Sequence, residues 1–149
     1  MYQIKKGDLF VNAINENDIL VHAVNNQGVW GSGIAVEFKK RYPVEFEIYK
    51  FSCNDFMVGE SLGIGNIMCL FTSEHYGNKK DHKIEILHNT YNAIQNLFDA
   101  LSYSELKKFH FHSPKINSGR FEVPWEQTEE IIKYLVDKYD ANWTVWEIQ

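Results

Sequence analysis

The stretch "DILVHAVNNQGVWGSGIAVEFKKRYP" (18–43) restricts the possible folds more than any other part of the chain. Residues 18–25 form an almost unbroken apolar run, the pattern of a central strand covered on both faces. Gly28, Gly31 and Gly33 follow within six positions, and a helical pattern then runs from about Gly33 to Arg41. A strand, a bare loop and a helix in succession form the repeating unit of an α/β sheet. Ligands of such sheets sit where the strands end. Backbone amides without side-chain cover, at the positive end of a helix dipole, suit an anion.

A second loop has the same make-up. "NSGRFEVPW" (117–125) follows the strand-like "FHFHSPKI" and precedes the helical "WEQTEEIIKYLVDKY". Gly119 leaves the backbone bare and Ser118 adds a hydroxyl. Two such loops facing each other would clamp a diphosphate. Neither is a familiar nucleotide motif: GxxxxGK[ST] is missing, and GxGxxG fails because Gly31-Ser32-Gly33 runs into Ile34, Ala35 and Val36.

The remaining pattern alternates strands with helices. "YQIKKGDLF" reads as a first strand and "NAINENDI" as a polar connection. Pro43 breaks or restarts the helix, which continues toward Cys53. "LGIGNIMCLFTS" is one long strand or a tight pair, punctuated by Gly59, Gly63 and Gly65. Leu87, Tyr91, Ile94, Leu97 and Leu101 fall at helical spacing. Pro124 suits the first turn of the last helix, and "NWTVWEI" closes the chain as a strand. An α/β sandwich around a mixed, mostly parallel sheet is the expected architecture, in one domain.

Charge and cysteine content exclude several roles. A formal net charge of −5 is wrong for a general nucleic-acid binder, which needs clustered cations for phosphates. The local groups "KKR" (39–41) and "KKDHK" (79–83), with Lys115 and Arg120, suit a small anion instead. Cys53 and Cys69 form no disulfide framework and no CxxC pair, as for free thiols in a reducing cytosol. No run of 18 apolar residues and no secretory h-region occurs, so a cytoplasmic monomer without a membrane span is expected. In "HFH", His110 and His112 share a strand face, but no carboxylate stands at an obvious partner spacing. No metal site is expected.

Taken together, the segments resemble the macrodomains, and among them the yeast-type ADP-ribose-1″-phosphate phosphatases. The matching pieces are "KGDLF" (6–10), "ILVHAVNNQGVWGSGIAVEFKKRYP" (19–43), "CLFTS" (69–73), "PKINSGRFEVPWEQTE" (114–129) and the terminal "TVWEI". Their order spans nearly the whole chain. The resemblance implies a single macrodomain over residues 1–149, with a three-layer α/β/α fold and ADP-ribose in a cleft over the sheet. It implies hydrolysis of ADP-ribose-1″-phosphate to ADP-ribose and phosphate, with no cofactor. The same cleft would serve two alternatives: a non-catalytic binder of ADP-ribose or a derived signal, or an ADP-ribosyl glycohydrolase acting on modified protein or nucleic acid.

Site roles follow from the resemblance by position. Asp8, with the Leu9 amide, matches the adenine contact; read by itself, Asp8 is a turn cap. Asn25 matches the asparagine that holds the distal ribose. Gly31, Ser32, Gly33 and Ile34 match the first diphosphate loop, and Ser118, Gly119, Arg120 and Phe121 the second. Asn25 and His22 are the candidate catalytic groups, although a lone His in an apolar strand is also an ordinary core residue. The lysine and aspartate of another macrodomain branch are replaced here by Ser73 and Phe121, which excludes a lysine-adduct mechanism. Arg120 and Glu122 stand where the family prefers an apolar residue and a glycine.

Overall fold

The structure, a computed structural model, describes residues 1–31 and 33–148. Its first strand is shorter than the sequence suggests. β1 (Tyr2–Lys6) stops at Gly7, whose φ is 148° and whose N–H donates to the Glu147 carbonyl at 2.8 Å. Asp8 then caps a single helical turn, α1 (Leu9–Asn12), accepting the Phe10 N–H at 2.8 Å. Leu9 and Phe10 are therefore helical, not extended. A short acidic side chain that can satisfy a nearby N–H competes directly with a strand ladder.

The rest follows the expected alternation. β2 (Asp18–Asn25) leads through the glycine loop to α2 (Ile34–Arg41), and Pro43 opens α3 (Pro43–Ser52). β3 (Ser61–Ile64) and β4 (Ile67–Ser73) are the tight antiparallel pair. Then come α4 (Lys83–Asp99), α5 (Tyr103–Lys108), β5 (His110–Ser113), α6 (Trp125–Tyr139) and β6 (Trp143–Glu147). The short α5 was not anticipated from periodicity. It rests on a capping box in which Ser102 and Glu105 satisfy each other's backbone N–H groups.

The six strands lie in the order β1-β6-β5-β2-β4-β3, and all are parallel except β3. Along β2, side chains alternate between faces. Leu20 and Val24 pack with Phe38 of α2 and Phe46 and Tyr49 of α3. Val21 packs with Ile94 and Phe98 of α4 and Ile132 and Leu135 of α6. Helices thus cover both faces, giving three layers.

This topology places the site. β2 and β5 are neighbours, paired from Asp18↔His110 to Leu20↔His112. The helix after β2 goes to one face and the helix after β5 goes to the other. A crevice opens at the carboxyl ends of two parallel strands whose connections part in this way.

Candidate functional site

A cavity of about 760 Å³ occupies that crevice, a size suited to a nucleotide-like ligand. Gly31, Gly33 and Ile34 line one side of it, and Ser118, Gly119, Arg120 and Phe121 line another. Trp146, Glu147 and Ile148 enter from the end of β6; Tyr76, Asn78 and Lys80 enter from the loop after β4. The two glycine loops thus meet across one space. Ser32 lies outside the described residues.

Gly33 is the N-cap of α2, with φ 61° and ψ −143°, and no side chain caps the helix. Only glycine adopts that conformation readily. A Cβ built there meets nothing within 4 Å. The first turn of α2 therefore presents its N–H groups and partial positive charge without a side-chain screen.

The second loop is held from below. Asn117, buried and at φ 67°, accepts a hydrogen bond from the Thr72 hydroxyl at 3.0 Å and donates to Thr90 Oγ1 at 2.8 Å. Its carbonyl accepts the Val123 N–H at 2.9 Å, closing the loop. Glu122 has φ 59°, which accounts for a glycine preference at this position. Its carboxylate lies 3.4 Å from Lys80 Nζ, so an ion pair crosses the mouth between two loops. Arg120 is exposed at the same rim.

Residues 21–132 match the family model described as Macro domain. The chain belongs to the macrodomain family. It is 33% identical over 159 residues to a protein of Meyerozyma guilliermondii named ADP-ribose 1''-phosphate phosphatase, covering 86% of this chain and 90% of the relative. A Candida albicans protein of the same name is 38% identical over 148 residues, covering 89% and 92%. The solved macrodomain of Mycobacterium tuberculosis DarG superposes with a TM-score of 0.77 at 23% identity, over 98% of this chain and 97% of that one. Thermosipho africanus DarTG, solved in complex with ADP-ribose, gives 0.76 at 15% identity, over 98% of this chain and 41% of its own.

In this macrodomain Asn25 lines the cavity, but its amide also builds the loop. Oδ1 accepts the Gln27 N–H at 2.9 Å and the Tyr49 hydroxyl at 3.1 Å, while Nδ2 donates to the Val29 carbonyl at 2.9 Å. Asp8 and Leu9 are not among the lining residues. Asp8 is exposed beside Gly7, and Gly7 packs against the Trp146 ring, so the turn that carries Asp8 flanks the β6 end of the cavity. Ser73 donates to the His75 carbonyl and accepts the Asp81 N–H, anchoring the loop that bears Lys80.

His22 lies under the cavity floor, 1% exposed. Its ring stacks on Phe38 at 4.0 Å between centroids and meets Trp30 edge-on at 4.6 Å. Burial lowers its pKa to about 3, so the imidazole is neutral at physiological pH. The unfolded chain takes up a proton near pH 6.5 that the folded chain refuses. Stability therefore falls as pH drops from about 6.5 toward about 3. We expect wild-type protein to lose about 2 kcal/mol more than His22→Leu between about pH 6.5 and pH 5, measured by denaturant unfolding. Parallel pH profiles for the two proteins would contradict this.

Proposed function

We propose that this macrodomain binds ADP-ribose-1″-phosphate and hydrolyses it to ADP-ribose and phosphate. The observation that carries the reading is the pair of amide-rich loops facing each other across one cavity whose rim bears Lys80 and Arg120. Phosphatases of this name among the relatives, matched over most of their length, support it. The loops grip the diphosphate, and Asn25 lies beside the distal ribose. Lys80 and Arg120 offset the charge of the terminal phosphate. Water oxygen attacks phosphorus, the bond from phosphorus to the 1″ oxygen breaks, and that oxygen leaves with a proton. His22, buried against Phe38 and Trp30, is uncharged at neutral pH and supports the cavity floor by packing. The protein works as a monomer on this reading. Both cysteines are buried and free, as suits a reducing cytoplasm. Among the described residues no helix is long and apolar enough to cross a membrane.

A phosphate-release assay with purified protein tests the reaction. Turnover by wild type that disappears in Gly33→Glu is the expected result; no release above that variant refutes the phosphatase. A binding-only role is a second reading: neither His22 nor the loop-bound Asn25 amide is a strong base, and the lining carboxylates Glu122 and Glu147 are paired with Lys80 and Lys115. Calorimetric binding of ADP-ribose without turnover is its signature.

Adenine recognition by Asp8 belongs to the same proposal. The cap uses Asp8 Oδ1, and the second carboxylate oxygen would accept the exocyclic amine. Asp8→Ala is expected to weaken ADP-ribose by about 1.5–3 kcal/mol and to leave ribose 5-phosphate nearly unchanged. Equal weakening of both ligands would refute the assignment. Loss of the cap should also cost about 1 kcal/mol of stability.

A further inference from the structure

Away from the glycine loops, one buried polar chain leads into the cavity. Asp18 opens β2 and is 6% exposed; His112 lies on β5 and is 5% exposed. Trp146 Nε1 donates to His112 Nδ1 at 3.0 Å, and His112 Nε2 lies 2.9 Å from Asp18 Oδ1. The other Asp18 oxygen accepts the Asn15 N–H at 3.0 Å.

With His110 these residues imitate a metal centre, since ligand atoms of Asp18, His110 and His112 lie within 4.8 Å of one another. Hydrogen-bond chemistry argues against that use. An indole N–H only donates, so His112 Nδ1 must accept. The proton of neutral His112 then sits on Nε2, pointing at Asp18, where a metal would need a bare nitrogen. His110 Nε2 is meanwhile 2.7 Å from Thr144 Oγ1. The three-residue chain has one direction: tryptophan to histidine to carboxylate.

What that direction fixes is the plane of the Trp146 indole. The ring lines the cavity at the end of β6. On another side it packs against Gly7, where an added Cβ would lie 3.2 Å from it. A flat, half-buried indole beside the Asp8 turn suits a planar heterocycle. We propose that Asp18 and His112 are positioning residues that hold the Trp146 indole as the wall against which the nucleobase of the ligand lies. This rests on the ADP-ribose reading of the cleft and adds a determinant of base affinity remote from the phosphate grip.

Two substitutions at His112 separate the links. The amide nitrogen of His112→Gln falls near the imidazole Nε2 and keeps the bond to Asp18, but offers Trp146 no acceptor. The amide oxygen of His112→Asn falls near Nδ1 and keeps the acceptor. We expect His112→Gln to weaken ADP-ribose at least tenfold while ribose 5-phosphate stays within twofold of wild type. His112→Asn should hold ADP-ribose within about threefold. In ¹⁵N-labelled protein, the Trp146 indole N–H resonance, assigned by its loss in Trp146→Phe, should move in His112→Gln and stay near its wild-type position in His112→Asn. The proposal is overturned if His112→Gln binds ADP-ribose like wild type, if it weakens both ligands equally, or if the indole resonance does not move. Wild-type protein that binds neither ligand would overturn the cleft reading and the base wall together, while the indole resonance still reports whether the hydrogen-bond chain exists.

Discussion

Glutamate in place of Gly33 should lower ADP-ribose affinity at least about 100-fold, a loss of about 2.7 kcal/mol. Gly33 lines the cavity, and nothing lies within 4 Å of a Cβ at this position to keep the new side chain out of it. Its carboxylate would stand at the N-terminus of α2, where the ligand's own charge is to be held, and like charges placed together cost several kcal/mol. A backbone contribution comes in addition: the φ of 61° and ψ of −143° force strain on any residue with a side chain, about 1–3 kcal/mol of stability. Gly33→Ala carries the strain without the bulk or the charge, so it should melt earlier yet retain most of the affinity. Calorimetry and thermal denaturation of both variants separate the two effects. A folded Gly33→Glu protein with wild-type affinity would remove the phosphate grip from this loop.

Asn117→Ala should be the most destabilising of the single substitutions considered, by about 2–4 kcal/mol in denaturant unfolding. The Thr72 hydroxyl loses its acceptor and Thr90 loses a donor, both at buried positions. Alanine at φ 67° adds about 1 kcal/mol of backbone cost, which Asn117→Gly avoids. The difference between the two variants therefore measures the backbone share. Because Asn117 opens the second loop, both variants should also bind ADP-ribose more weakly than wild type. Unfolding curves that superimpose on wild type would show that this buried hub does not hold the loop.

Local chemistry is the part of this fold that the sequence makes legible. A continuous apolar strand followed by glycines and a helix start declares its place in the fold within sixteen or so residues, and so does the second loop. Failures arose where a side chain redirected the backbone. Asp8 turned the end of a strand into a helical turn, and Ser102 with Glu105 nucleated α5 below the length at which periodicity shows. Contacts between distant segments were not legible at all. "HFH" looked as if it lacked a carboxylate partner, yet Asp18, 94 residues away in sequence, lies against His112. Lys80 meets Glu122, and Asn117 joins two threonines from other elements, for the same reason. No spacing rule encodes which strands become neighbours. The Trp146 hydrogen bond is illegible for the same reason, since its acceptor, His112, lies 34 residues away in sequence.

β2 runs on to Asn25 after its last rung with β5 at Leu20↔His112. Along that stretch one flank of the strand looks into the crevice, and Ala23, Val24 and Asn25 line it. A sugar nucleotide bound there would take the place of a missing neighbour, like a weft thread laid against an unfinished selvedge. On the proposed reading, occupancy and the covering of that sheet edge would be a single event, and the ligand would stabilise the folded chain by mass action.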